Sequence, residues 1–437
     1  MKRPNVIIFY CDDLGYGDLG CYGSDAMKTP HLDRLAGEGV RFTNWYSNSP
    51  VCSPSRASLL TGKYPARAGI SHILGGKRGT KGLPLGQTTL ASALQTQGYQ
   101  TAIFGKWHLG ASAEHGPNAH GFDQFYGFRA GCIDYYSHIF YWEQAGGVNP
   151  VHDLWHNETE VWENGEYMTE VITREAVSYI EAASEQEPYF LYVAYNAPHY
   201  PMHAPKAYVD RFTDLPPDRR IMAAMIAAVD DGVGEIVAAL KNKGVYEDTI
   251  IFFSSDNGPS TESRNWLDGT EDLYYGGSAG KFRGHKASLF DGGIREPAIL
   301  SYPAGFASCQ GQVNDEVCAM MDMFPTVLEL TGTERQGFDL DGQSLCATLR
   351  GTAPSPHQQL FWEYGDQLAV REGKWKLVLN GKLDFSRTAV DPVHLSDLEQ
   401  DIGERVNLAE QFPDVVRRLE ADARRWYESL HEEAQTQ

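Results

Sequence analysis

The run Cys52-Ser53-Pro54-Ser55-Arg56-Ala57-Ser58-Leu59-Leu60-Thr61-Gly62 sets a thiol four residues ahead of an arginine, at the entrance of a helix. Ser53 reads as the helix cap and Pro54 as a first-turn residue. Free N–H groups and the helix dipole there favour a bound anion, as a nucleophile working on an anionic group would need. The same run also suits an inert buried cysteine before a helix. Two other segments bear on the choice. Val6–Cys11 is an apolar run that ends in Asp12-Asp13, and Thr249–Ser255 is another that ends in Asp256-Asn257-Gly258. Each reads as a buried parallel strand with acids at its carboxyl end, where open α/β sheets bind ligands. Three carboxylates and one amide oxygen make a hard, all-oxygen donor set suited to Ca²⁺ or Mg²⁺. Their mutual repulsion calls for a cation to offset it.

Basic groups follow three further segments. Ala102-Ile103-Phe104-Gly105-Lys106-Trp107-His108-Leu109-Gly110 carries a lysine and a histidine two apart, which in an extended segment share one face. One lysine alone would be a solvated charge; a Lys and His flanked by glycines after an apolar strand read as donors converging on an anion. Tyr189–Tyr195 runs into Asn196-Ala197-Pro198-His199, and Gly284–Pro297 offers Lys286 from a glycine-bounded loop.

In this order these segments resemble the sulfatase family, from Asn5 to about residue 303. The likeness continues more weakly through Trp375-Lys376-Leu377 and Leu395-Ser396-Asp397-Leu398. The resemblance implies that a formylglycine-generating maturation enzyme oxidises Cys52 to an aldehyde, whose hydrate attacks sulfur. It implies that Asp12, Asp13, Asp256 and Asn257 hold Ca²⁺ or Mg²⁺, with residue 52 completing the shell and Arg56 holding nucleophile and metal in place. Lys106, His108, His199 and Lys286 then surround the sulfate and its ester oxygen. His199 and Lys286 lie by the leaving oxygen, and His108 is the expected base for sulfate release. Asp291 stands where many relatives have glutamate. The activity implied is sulfate-ester hydrolysis; phosphate or phosphonate monoester hydrolysis is the alternative, and a non-catalytic glycan-binding protein the third reading. The implied fold is α/β and alkaline-phosphatase-like: a large, mixed, mostly parallel sheet flanked by helices, plus a small C-terminal antiparallel sheet with a helix.

The patterning that must position these groups agrees with a large α/β unit. Apolar strands alternate with helical stretches to about residue 335. Periodicity predicts helices over Thr89–Thr96, Thr169–Ala183 and Ile221–Lys243. A composition break at Gly351–Pro356 divides the chain into a catalytic domain, 1–355, and a C-terminal α+β subdomain, 356–437. The latter shows strand-like runs at Gln359–Glu363, Leu368–Arg371 and Trp375–Leu379, then a helix from about Asp414 to Leu430. Val416, Leu419, Ala423, Trp426 and Leu430 form its apolar face.

With 437 residues, 42% of them hydrophobic, the chain can bury a large core; its formal net charge of −21 argues against nucleic acid and anionic membranes as partners. An anionic substrate must therefore be held by a local positive field, from Arg56, Lys106, Lys286, the metal and, unless merely solvated, Lys281 and Arg283. Seven cysteines fit no zinc spacing. Cys309 and Cys318 could pair, but a reduced protein of the bacterial cytoplasm is the simpler reading. The amino-terminal apolar run is already the first core strand, so no signal peptide is visible. Between Gly110 and Asn164 aromatics and histidines are dense, which suits the faces of sugars. A sulfated carbohydrate is the expected substrate, with Asp134, His138, Arg264, Asn265 and Trp266 as candidate substrate contacts.

Overall fold

Residues Val6, Ile8 and Tyr10 face one layer of the core, and Ile7, Phe9 and Cys11 the other, the period of two that a strand covered on both faces imposes. They belong to β1 (Asn5–Cys11) of a ten-stranded sheet. The computed structural model describes residues 3–141, 150–184, 186–262, 276–335, 337–386 and 388–436. The other strands of this sheet are β2 (Val40–Phe42), β3 (Gln100–Lys106), β4 (Gln124–Phe128), β5 (Trp155–His156), β6 (Thr159–Glu160), β7 (Tyr189–Ala194), β8 (Thr249–Ser255), β9 (Ala298–Ser301) and β10 (Gln312–Asn314). Their order is β10-β2-β9-β8-β1-β7-β3-β4-β5-β6. The five central strands, β8 through β4, run parallel; β9 and β5 are antiparallel to their inner neighbours.

Helices cover both faces. α1 (Pro30–Glu38), α4 (Met168–Ala182) and α5 (Pro217–Asn242) pack on one side; α2 (Cys52–Thr61), α3 (Leu90–Gln95) and α6 (Met323–Thr331) pack on the other. α3 opens with a capping box: Ser92 N–H donates to Thr89 Oγ1 at 3.1 Å and Thr89 N–H to Ser92 Oγ at 3.0 Å. α5 starts a turn ahead of the periodic pattern because Pro217 occupies its first turn, where a missing N–H costs nothing.

The second sheet begins at Gln359. β11 (Gln359–Tyr364), β12 (Gln367–Glu372), β13 (Trp375–Gly381) and β14 (Asp391–Asp397) form an antiparallel meander. α7 (Pro413–Thr436) covers one face, its Leu419 and Ala423 packing on Leu368, Val370, Leu377, Leu379 and Leu395. On the other face Leu360, Trp362, Ala369 and Val378 join Tyr46, Leu289, Phe290 and Ile294 of the larger unit. β14 gives no clear strand signal in the sequence, since it carries Pro392; as an edge strand it tolerates a residue that cannot donate.

A fully buried charge cluster locks the two units together. Lys376 Nζ on β13 lies 2.6 Å from Asp291 Oδ1 and 3.0 Å from Glu404 Oε1. Asp291 Oδ2 also meets Arg295 Nη1 at 3.1 Å and accepts from Tyr46 OH at 2.9 Å. Burial, reinforced by the charge of Asp291, pushes the Glu404 carboxyl up to about 7 against the pull of Lys376. A folded-state value above the unfolded one of about 4.3 means that folding takes up a proton. This stabilisation is complete below the unfolded value and is lost as pH rises through about 7. Glu404→Gln is therefore expected to flatten stability against pH across that window, measured by urea unfolding at several pH values. An unchanged slope would contradict it.

Candidate active site

Parallel register brings four strand ends level: Tyr10 pairs with Ala194 and Ser254, and Ala194 with Gly105. The residues that follow, Asp12-Asp13, Lys106 to His108, Asn196 to His199 and Asp256-Asn257, must then meet at one end of the sheet. α2 starts there with Cys52. The helix begins at Cys52 itself, not after Ser53, and no side chain caps it. Ser53 instead accepts the Leu74 N–H at 3.0 Å, tying down the loop that follows.

Cys52 Sγ lies 3.4 Å from Asp12 Oδ1. Asp12 Oδ2 takes Lys106 Nζ at 2.5 Å. Arg56 donates from Nη2 and Nε to Asp256 Oδ2 at 2.7 and 3.1 Å, and its Nη2 lies 3.8 Å from Asp12 Oδ1. The guanidinium stacks over Tyr10, 5.2 Å from the ring centre, and reaches Tyr192 OH at 3.3 Å. Asp13 sits at a left-handed φ of 63° and meets Lys286 Nζ at 2.7 Å, Asn257 Nδ2 at 2.7 Å and His199 Nε2 at 3.7 Å. Donor atoms of Asp12, Asp13, Cys52 and His199 all fall within 4.8 Å of one another.

These groups fit a divalent cation. Asn257 Oδ1 is buried with no hydrogen-bond partner, although nearly every buried polar atom has one. Its Nδ2 donates to Asp13 Oδ1 at 2.7 Å and to Gly258 O at 2.9 Å, which orients the amide and leaves Oδ1 as the atom without a partner. Burial would raise Asp12, but Lys106, His199, Arg56 and Lys286 hold it well below the usual carboxylate range. Burial and the charge of Asp12 push Asp256 up to about 7. Two carboxylates so close ionise together only with added positive charge. Among the described residues, Asp12, Asp13, residue 52 and His199 are grouped closely enough to hold a metal ion, and Asp256 and Asn257, expected as ligands from the sequence, lie against Asp13 at 3.2 and 2.7 Å.

His108 departs from the sequence expectation. The strand ends at Lys106, and His108 takes a left-handed φ of 55°, so it does not share a strand face with Lys106. Its Nε2 lies 2.9 Å from Leu74 O, and its Nδ1 is buried without a partner. Burial first, then Lys106, lowers its pKa well below the usual histidine range, so the ring is neutral. His199 is set by Tyr135, whose OH bonds Asn196 O at 2.9 Å and His199 O at 2.8 Å. Tyr135 stood in the sequence only as one ring among many.

The loop bearing Lys286 is gripped by the small sheet. Gln367, at the start of β12, donates to Ala287 O at 2.8 Å and accepts from Leu289 N–H at 3.4 Å. Leu383 O accepts the His285 N–H at 2.8 Å, and Lys382 O the Ser288 hydroxyl at 2.5 Å. Burial opposes the charge on Lys286, but Asp13 outweighs it and raises its pKa well above the ordinary lysine value. Neither Gln367 nor its role is visible in the sequence, because a polar residue at a hairpin tip looks like any turn residue.

Of the candidate substrate contacts, Asp134 forms a turn, accepting from Tyr136 N–H at 3.0 Å and Ser137 N–H at 2.7 Å, and faces His203 at 3.4 Å. His138 is fully buried, with Nε2 3.1 Å from Glu166 O. Arg264, Asn265 and Trp266 lie outside the described residues. Arg283 faces the small sheet, donating to Glu404 O at 2.9 Å and covering Phe290, so it adds little field to the site.

A parallel-centred sheet with a cation site, a helix-start cysteine and clustered lysines and histidines at its strand ends describes a hydrolase of anionic esters. The sulfatase family model matches residues 4–333. The chain is 33% identical to arylsulfatase A of Bos taurus over 454 residues, which covers 94% of this chain and 85% of the bovine protein. It is 34% identical to N-acetylgalactosamine-6-sulfatase of Mus musculus over 393 residues, 86% of this chain and 72% of the mouse protein. The crystal structure of Ps i-CgsB in complex with k-i-k-neocarrahexaose superposes with a TM-score of 0.85 and 30% identity, covering 97% of this chain and 93% of that one. The chain belongs to the sulfatase family and is a sulfuric ester hydrolase.

Proposed function

We propose that this chain removes sulfate from a sulfated carbohydrate, at a centre built on residue 52 and a bound Ca²⁺. The observation that carries the reading is the position of Cys52 Sγ, 3.4 Å from Asp12, inside the ring of carboxylates, lysines, arginine and histidines. As a thiol this residue is a poor nucleophile: burial, with the charge of Asp12 added, pushes its pKa far above neutrality. Conversion to formylglycine by a maturation enzyme supplies an aldehyde hydrate, an oxygen nucleophile with a second hydroxyl for release. A divalent cation held by Asp12, Asp13, Asp256 and Asn257 would supply positive charge against the sulfate oxygens, and the hard oxygen set suits Ca²⁺ or Mg²⁺.

The chain's own groups do the rest. Lys106 and Lys286 hold the charge of the sulfate, while Arg56 fixes Asp12 and Asp256 in place. His199 and Lys286 stand on the Asp13 side, where a leaving alcohol takes its proton; neutral His108 accepts the proton that must leave for sulfate to be released. Three buried carboxylates face three buried cations, so the site has no excess negative charge to repel a sulfate ester. The carbohydrate reading is supported by the N-acetylgalactosamine-6-sulfatase relative and by the oligosaccharide complex of the structural neighbour.

The test is turnover by protein co-produced with a formylglycine-generating enzyme. An aryl sulfate, an aryl phosphate and sulfated galactan and glycosaminoglycan fragments are compared with and without Ca²⁺. Release of sulfate from the aryl ester and at least one carbohydrate, at a rate well above phosphate release, is expected. Faster phosphate release would overturn the reading.

A further inference from the structure

A solvent-exposed tryptophan stands at the same end of the large sheet as the catalytic groups, three strands from His108. Antiparallel pairing sets Gly127 opposite Trp155 and Trp155 opposite Glu160. Continuing each strand toward the ligand side, His152 lies beyond the end of β4, and Val161 N–H bonds Leu154 O at 2.9 Å. Trp162 therefore emerges at the carboxyl end of the parallel strands. Its ring is 63% exposed yet fixed, stacked on His152 with centroids 3.6 Å apart and planes 9° from parallel. His152 is itself held by Glu160 at 3.1 Å, and Glu160 by Arg78 at 2.6 Å. An ordinary exposed tryptophan would be free to turn; this one is held with one face open.

The surroundings connect this ring to the active site. Asp153, next to His152, accepts the N–H groups of Arg129 and Ala130 at 3.1 and 2.7 Å, and Gly131 packs so closely on the His108 ring that a Cβ there would come within 2.6 Å of it. On the other side, Leu74 O meets His108 and Arg78 meets His152 O at 2.8 Å. Four residues separate Leu74 from Arg78, which limits the span between them to about 14 Å. Three strand spacings of about 4.8 Å give the same figure. Glu158 is paired with Arg129 and Glu160 with Arg78, while Arg174 is shared by Glu163, Glu166 and Glu175.

We propose that Trp162 is a saccharide platform: its open face stacks on the C–H face of a sugar ring some units away from the ring whose sulfate is removed. The inference rests on the carbohydrate reading above and deepens it, making the enzyme one that prefers oligomers to single sugars. A flat, rigid aromatic is suited to this, because it offers contact area at small entropic cost.

The experiment measures kcat/KM for wild type, Trp162→Ala and Trp162→Phe on an aryl sulfate and on sized sulfated galactan and glycosaminoglycan oligosaccharides. In Trp162→Ala the ratio of oligosaccharide to aryl sulfate kcat/KM is expected to fall about tenfold, through KM, with Trp162→Phe restoring most of it. The loss should be absent on a monosaccharide sulfate and grow with chain length. An unchanged ratio on an oligosaccharide that wild type hydrolyses would overturn the platform alone. Wild type that hydrolyses the aryl sulfate but no carbohydrate would overturn the carbohydrate reading, and the platform with it.

Discussion

Replacing Cys52 by alanine is expected to abolish sulfate release, by a factor of about 10⁴ or more, while the protein stays folded. The side chain is small and 2% exposed, and the helix it starts is held by Ala57, Leu59 and Leu60 in the core, so little packing is lost. Cys52→Ser is the sharper variant. It keeps an oxygen at the right place beside Asp12, and, produced with a maturation enzyme specific for the thiol, it stays an alcohol and offers one hydroxyl where two are needed. It should give at most a single turnover, with a sulfate-mass adduct on the peptide bearing residue 52. Mass spectrometry of wild type should show that peptide lighter by about the mass of a water molecule, the signature of conversion. Multiple turnovers by the serine variant would overturn the assignment.

Asp12→Ala is expected to remove both activity, by about 10³-fold or more, and bound metal. Among the described residues, Asp12 is the carboxylate that meets Cys52, Lys106 and Arg56 together. Without it Lys106 Nζ, fully buried, loses the carboxylate 2.5 Å away. Breaking a buried pair on one side costs about 3–5 kcal/mol, so thermal stability should fall as well. Metal analysis and a melting curve read the two effects separately. Full metal content with full activity would sink the ligand assignment.

Much of this was legible in the sequence, for identifiable reasons. Val6–Cys11 and Thr249–Ser255 announce themselves as buried parallel strands because both faces are covered, and acids at their ends are costly unless they have work to do. Three helices of the large unit, α3, α4 and α5, followed from periodicity to about a turn, while α1 and α6 were not read from it. What escaped was geometry that no local pattern encodes. His108 leaves its strand through a left-handed residue, so alternation misplaced it relative to Lys106. β14 hid behind Pro392, and Gln367 behind the ordinary look of a turn. Tyr135 and Trp162 sit in a segment so rich in rings that composition could not separate the wall of the site from its rim. The buried lysine of β13 reads as half of an exposed amphipathic strand until Asp291 and Glu404 are seen around it.

The grip of the small sheet on the Lys286 loop also sets an order of events during synthesis. Lys286 stands more than two hundred residues after Cys52, and Gln367, which grips its neighbours Ala287 and Leu289, is made later still. A chain emerging from the ribosome thus displays the Cys52 segment long before the groups that enclose it exist. In the finished protein that cysteine is inside the core. An enzyme that must reach its sulfur finds it more accessible before those groups have folded around it.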